Sequence, residues 1–357
     1  VLVMFLSFAG CSDTDSVAQA QNESPPEATS EQAVVEPEEN EQSESEPSLE
    51  GLLPQRLGIL ATPAFGDLDA MAERRIIRVL VVPGGPQFFY FQGKPRGMVA
   101  ELLAMFQSEL NASLGRRLDQ VEIVPMPVSR DRLIPALLSG QADLIAADLT
   151  VTEARSDLVD FSVPFVRDVS EIVVFAPGAG EDVQSIDDLA GREVFVRKSS
   201  SYFEHLSGLN ADLQSRGLRP VNIIEANEQL RVQDILEMVN AGLVDATVVD
   251  SHKATSWSSL LTDMIVREDL VLRSGGNIAW AFRKDSPLLA DQVNEFARGH
   301  RKGTLLGNVL IERYLGNVKW VSNSTSDRAA ERMRPLAELF QSGAEEADMD
   351  WLMLVAQ

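Results

Sequence analysis

After an apolar first ten residues, hydrophobic positions are sparse as far as residue 50 and then fall into short apolar runs alternating with helical stripes. The run IIRVLVVP, residues 76–83, is apolar almost throughout and rich in β-branched side chains, the pattern of a strand buried on both faces. MVAELLAMFQSELNASLG follows, with Leu102, Leu103, Phe106 and Leu110 at helical spacing and Gly115 as a stop. A strand over VEIVPMPV, a helix over RDRLIPALLSG and a strand over ADLIAAD come next, and the alternation resumes from Glu193 with EVFVRK, a helix through Tyr202 to Leu206, VNIIEA, QDILEMVNAG and VDATVVD. Strands alternating with helices of this length predict βαβ units and a mostly parallel sheet in each of two α/β lobes. EIVVFAPG and NIAWAFRK, residues 171–178 and 277–284, are extended apolar runs at the two borders of the second lobe. Helical spacing then returns up to residue 316, as if the chain goes back to finish the first lobe. Two crossings imply a hinge, and the cleft between two such lobes is a common place for a small ligand.

Charge changes this picture at the start of the chain and narrows the choice of partner. The formal net charge is −23, from 54 acidic against 31 basic residues, which excludes nucleic acid or anionic lipid as a bulk partner. Twelve of the acids lie between Ser12 and Glu50, where there is no Lys or Arg and the rest is rich in Pro, Ser and Gln. Such a segment buries too little apolar surface to fold, so residues 12–73 are expected to be a disordered acidic tether. Ahead of it, VLVMFLSFAGC is too short to span a bilayer and reads as the apolar part of a signal peptide, residues 1–11. Its small-small-Cys ending resembles a bacterial lipobox, which implies lipidation of Cys11 and, with Ser12 next, sorting to the outer membrane on the periplasmic side. A single cysteine and three scattered histidines offer no metal-ligand spacing, and no cofactor is expected.

Five pieces in order resemble the family 3 periplasmic solute-binding modules: GMVAELL, LIPALLSGQADLIAADLTVTEARSDLVDFSVPF, SIDDLAGREVFVRKSSS, NAGLVDATVVDS and HRKGTLLGNVLIERYLG. The resemblance implies a two-lobed, type II periplasmic-binding-protein-like α/β fold with a hinge over residues 74–318, lobe 1 being 74–174 with 277–318 and lobe 2 being 178–272. It implies a small zwitterionic ligand such as a polar amino acid. Arg155 of TVTEAR would then hold the ligand's carboxylate with Thr150 beside it, Ser200 and Ser201 would offer hydroxyls and helix N-terminal amides, and Asp250 would take the ammonium. One or two of Phe88, Phe89 and Tyr90 would stack on the ligand, Phe89 and Tyr90 being the candidates. From the residues alone, Arg155 equally suits a surface pair with Glu153 or Asp157, and Asp250 suits a helix N-cap.

The chain also departs from the family pattern. Asp148 stands where relatives have a small residue or a serine at the amine site, which favours a ligand with an extra positive or polar group or else a bond to backbone. The usual glycine at Ser199 and the usual acid at Val99 are missing. Beyond residue 318, the segment ending DWLMLVAQ resembles the start of the lysozyme-like domain that follows the binding module in the membrane-bound lytic murein transglycosylase F family. That resemblance implies peptidoglycan as a partner, a truncated catalytic domain over 319–357, and a catalytic glutamate beyond Gln357, so that this chain alone is no enzyme. A lipid-anchored receptor of an amino acid transporter is the alternative, and an enzyme on the same fold would have Asp148 as its only unusual acid or base.

Overall fold

The structure, a computed structural model, describes residues 58, 60, 62–115, 120–316 and 342–344. Cys11, the acidic segment from Ser12 to Glu50 and, apart from residues 342–344, the expected 319–357 extension lie outside the described residues.

In lobe 1, β1 (Ile76–Val81) is buried at every position because parallel neighbours flank it on both sides. These are β4 (Glu122–Pro127) and β5 (Leu144–Thr150). Between β1 and β4 lie a short hairpin, β2 (Phe89–Phe91) with β3 (Lys94–Arg96), and the helix α2 (Met98–Ser113). α2 is preceded by α1 (Leu68–Arg74), and α3 (Leu133–Leu138) links β4 to β5. The predicted stripe is the buried face of α2: Leu102, Leu103, Phe106 and Leu110 pack with Ile77, Val79 and Trp280. The other face of the sheet is covered by α3, whose Leu133 and Leu137 meet Leu80 and Ile145. A one-turn helix, α4 (Glu153–Ser156), and a two-residue strand, β6 (Asp160–Phe161), complete the first pass.

Two long antiparallel strands, β7 (Val166–Phe175) and β11 (Ile265–Phe282), carry the chain between the lobes. The C-terminal end of β11 pairs with β5 and β6, while its N-terminal part pairs with β7, so one strand belongs to both lobes. With β10 (Ala246–Asp250) at one edge, the order β10-β7-β11-β5-β1-β4 therefore runs through a single sheet, which β6, paired with β11, makes seven-stranded. β7 and β11 slip register four times along their length. Gly276 is required at one of these slips, because a Cβ there would lie 2.9 Å from the Val169 carbonyl oxygen.

Lobe 2 has a parallel pair, β8 (Glu193–Arg197) and β9 (Asn222–Ala226), with β10 (Ala246–Asp250) tied to it by the Thr247 hydroxyl, which donates to the Phe195 carbonyl at 2.8 Å. The helices α5 (Ser201–Ser215), α6 (Val232–Asn240) and α7 (Ser251–Ser258) flank it. Val173, Val194, Leu206 and Val248 form one core and Val174, Leu236, Val249 and Trp257 the other, again one on each face. The chain returns to lobe 1 with α8 (Pro287–His300) and α9 (Leu305–Leu315).

The expected tether to residue 73 is too long. Residues 62–74 are part of lobe 1: Asp67 caps α1, Leu68, Met71 and Ala72 are buried, and the Arg78 guanidinium donates to the carbonyls of Thr62 and Ala64. The signal, three apolar positions at helical spacing behind an Asp, is only seven residues long and follows a long polar stretch. Among the described residues, no helix is long and apolar enough to cross a membrane.

Candidate ligand-binding cleft

Arg155 is aimed by local structure. β5 ends at Thr150, Thr152 is extended, and its hydroxyl accepts the Arg155 amide at 3.3 Å to start α4. One turn turns the side chain back under the strand end, where it is 6% exposed. Nη1 donates to the Thr150 carbonyl at 2.9 Å, and Nη2 to the Ser199 carbonyl at 2.9 Å. Its carboxylate partner is Glu204, at 2.9 Å, rather than Glu153 or Asp157. Since Ser199 and Glu204 belong to lobe 2, Arg155 joins the lobes. Burial pulls its proton affinity below the usual arginine range, Glu204 works against that, and Arg130 adds to it by repulsion.

Ser200 and Ser201 stand where β8 turns into α5. The Ser200 hydroxyl donates to the Arg197 carbonyl at 2.6 Å and accepts the Phe203 amide at 3.2 Å, so it is the helix cap. The Ser201 hydroxyl donates to Glu171 at 2.7 Å, and the other Glu171 oxygen lies 2.6 Å from His205 Nδ1. Both hydroxyls thus have protein partners, while the amide end of α5 faces the same space.

Asp250 occupies the N-cap position of α7, yet its side chain makes no cap bond. Oδ2 pairs with Lys253 Nζ at 2.8 Å, Oδ1 is buried with no partner among the described residues, and the backbone amide donates to the Tyr202 hydroxyl at 3.2 Å. Burial would raise this carboxyl, but Lys253 and His252 outweigh it and hold it below the usual carboxylate range. Asp148 accepts from the Gln87 amide at 2.7 Å and lies 3.9 Å from Lys253 Nζ. Its negative charge is therefore shared with Asp250 around one lysine.

Asp148, Thr150, Arg155, Ser200, Ser201 and Asp250 line one small cavity, six of the eight expected residues. Arg130, Arg197, Tyr202, Val232 and Lys253 complete it. A larger cavity shares Arg130, Asp148, Arg197 and Lys253 and reaches Gln87, Val99 and Trp257. Phe89 and Tyr90 line neither: they are 39% and 52% exposed on the β2–β3 hairpin, and Phe88 is the ring that turns into the core. The sequence reading missed Arg130, Arg197 and Lys253. Two of the three had a signal, since Arg197 ends a strand facing the cleft and Lys253 follows Asp250 by three helical positions. Among the described residues no three His, Cys, Asp or Glu gather as metal ligands.

The profile of the bacterial extracellular solute-binding proteins, family 3, matches residues 77–317. The membrane-bound lytic murein transglycosylase F of Methylobacillus flagellatus is 27% identical over 286 residues, 78% of this chain and 57% of that protein. Its counterpart in Idiomarina loihiensis is 27% identical over 297 residues, 81% of this chain and 61% of that protein. The chain thus spans about three fifths of the length of these relatives. Among solved structures, an ancestral arginine-binding protein bound to arginine superposes with a TM-score of 0.55 at 24% identity, over 68% of this chain and 99% of that one. The architecture is the two-lobed type II periplasmic-binding-protein fold, the profile covers both lobes and the hinge, and the chain belongs to the bacterial extracellular solute-binding proteins, family 3.

Proposed function

We propose that this chain is the ligand-binding, regulatory module of an outer-membrane lytic murein transglycosylase acting in peptidoglycan turnover, and that it closes on an amino acid or a cell-wall peptide. The observation that carries the binding reading is the pairing across one cavity of Arg155 from lobe 1 with Asp250 from lobe 2, one of whose buried carboxylate oxygens meets no hydrogen-bond donor in good geometry among the described residues. The ligand's carboxylate meets the Arg155 guanidinium in place of Glu204, a bidentate fit, with Thr150 and the amide end of α5 alongside. Its ammonium donates to Asp250 Oδ1. Because the two charges are held by different lobes, ligand binding and closure about β7 and β11 are one event.

The transglycosylase part rests on the likeness to the two relatives, and anchoring on the lipobox-like SFAGC. The test of the site is a thermal-shift and calorimetric screen of amino acids and muropeptides on the wild type and Arg155→Ala. Loss of one partner of a buried charge pair costs about 2 to 5 kcal/mol, so affinity should fall by roughly 30-fold to several thousand-fold. Equal binding by both proteins would refute the clamp.

A further inference from the structure

We propose that the cleft selects a zwitterion carrying a second anionic group, a carboxylate or a phosphate, which is held between Arg130 and Arg197. This rests on the clamp just described and adds the chemical class of the ligand's side chain.

Two of the cleft's basic side chains already have carboxylate partners. Arg155 has Glu204, and Lys253 sits between Asp250 and Asp148. Arg130 and Arg197 line the same cavity, and among the described residues neither has a carboxylate within 4.0 Å. Among the described residues, Arg130 Nη1 donates to the Asp148 backbone carbonyl alone, at 3.2 Å. Arg197, the last residue of β8, is 5% exposed; its Nη1 donates to the Leu230 carbonyl, and its Nε is buried with no partner among the described residues. The nearby acid Glu228 is engaged by the amide and hydroxyl of Ser199.

A buried guanidinium with a free N–H is a costly arrangement unless something occupies it. Its proton affinity responds accordingly: burial, and then repulsion from Arg130, pull Arg197 down to about 10. Arg130 repels Arg155 in the same way. Three guanidinium groups thus share one space, one of them assigned to the ligand's carboxylate. An anion between the other two offsets their repulsion and fills the donor that lacks a partner, with the fork geometry that arginine offers to carboxylate and phosphate. A cationic side chain, such as that of the arginine held by the ancestral structure, would face two like charges here. The larger cavity also opens onto Arg130 and Arg197, so a ligand longer than one amino acid presents its second anion at the same place.

The experiment is isothermal titration of the full chain, at low ionic strength, with matched pairs of probes: L-glutamate and L-glutamine, L-aspartate and L-asparagine, O-phospho-L-serine and L-serine, and the dipeptides Ala-Glu and Ala-Gln. The expected result is that the anionic member of at least one pair binds about 10-fold or more tightly, the amino acid and phosphoserine arms telling carboxylate from phosphate. That ratio should fall towards one in Arg130→Gln and in Arg197→Gln, and be partly kept in Arg130→Lys. Should Arg197→Gln fail to fold, the half-buried Arg130 variants decide the matter alone. Equal affinity within every pair, or preference for the neutral member, overturns the second-anion site and leaves the zwitterion clamp standing if Arg155→Ala still abolishes binding. Binding of no probe at all overturns both.

Discussion

Replacing Asp143 by Asn should destabilise lobe 1 strongly. Asp143 is fully buried at the start of β5 and accepts from the Arg78 backbone amide at 2.9 Å, Arg78 Nε at 3.2 Å and Arg78 Nη2 at 3.0 Å, with Arg74 at 2.6 Å and Arg283 at 3.3 Å. One carboxylate therefore balances three guanidinium groups, and through Arg78 it holds residues 62–64 against the sheet. The Asn variant keeps the shape and removes the charge. Breaking a buried ion pair from one side costs about 3 to 5 kcal/mol, which for a domain of this size lowers Tm by roughly 6 to 20 °C. The pH dependence adds a second readout. Burial alone would raise the Asp143 carboxyl, but the bonds from Arg78 and the charges of Arg74 and Arg78 hold it below its usual value. A carboxyl depressed in the folded state contributes its stability above the unfolded value, about 3.9, and loses it as pH falls through the folded value. Urea unfolding followed by circular dichroism from pH 7 down to pH 3 should show the wild type losing this increment below about pH 4, and Asp143→Asn lacking it throughout. A Tm within about 2 °C of wild type, or an unchanged acid limb, would refute the account of the cluster.

Lys253→Met should strip the buried Asp250 carboxylate of its 2.8 Å ion pair and cost about 3 kcal/mol at neutral pH. Burial then raises its folded value above the unfolded one, and a raised carboxyl contributes stability that is full below about pH 4 and lost as pH rises, so the deficit should shrink on acidification; urea titrations at pH 7 and pH 5 check the sign. Thr152→Ala removes the cap of a one-turn helix and should cost about 1 kcal/mol in the same assay while weakening zwitterion binding, because that turn aims Arg155; unchanged stability and affinity would mean that the Thr150 and Ser199 carbonyls position the guanidinium unaided.

What could be read from the sequence follows from how local each signal is. Strands buried on both faces, such as β1, are continuous apolar runs, and α2 carries its stripe in one turn after another. Arg155 and Asp250 could be placed at the cleft because Asp250 ends the strand β10 and Arg155 stands in the turn just after β5, each within a family-like motif. Glu204 as the partner of Arg155 was not legible, since it is 49 positions away and meets it only where the two lobes close. β11 was read from residue 277 onwards, yet it begins at Ile265: its first half is interrupted by charged residues and glycines, because an interlobe strand is exposed for part of its length and slips register. In the FFY triplet the family resemblance favoured Phe89 and Tyr90 as the stacking rings, and neither lines the cleft. Phe88, bridged to Gly84 just ahead of β2, packs into the core, whereas the two-stranded hairpin leaves all three positions of β2, Phe89 and Tyr90 among them, exposed.

The charge of the chain and the charge of the cleft have opposite sense, and the fold accounts for this. Acid dominates the sequence as a whole, yet the cleft collects Arg130, Arg155, Arg197 and Lys253 against Asp148 and Asp250. β5, β8 and β10 each end at the cleft, and a side chain at a strand end or in the turn after it is carried there whatever the rest of the surface looks like. Charges on the outer surface act through water and are screened beyond about 8 to 10 Å at physiological salt, whereas the cleft groups lie in a cavity where screening is weak. An acidic module can therefore hold an anionic ligand, because affinity is set by the few buried guanidinium groups within hydrogen-bonding reach and hardly at all by the net charge outside.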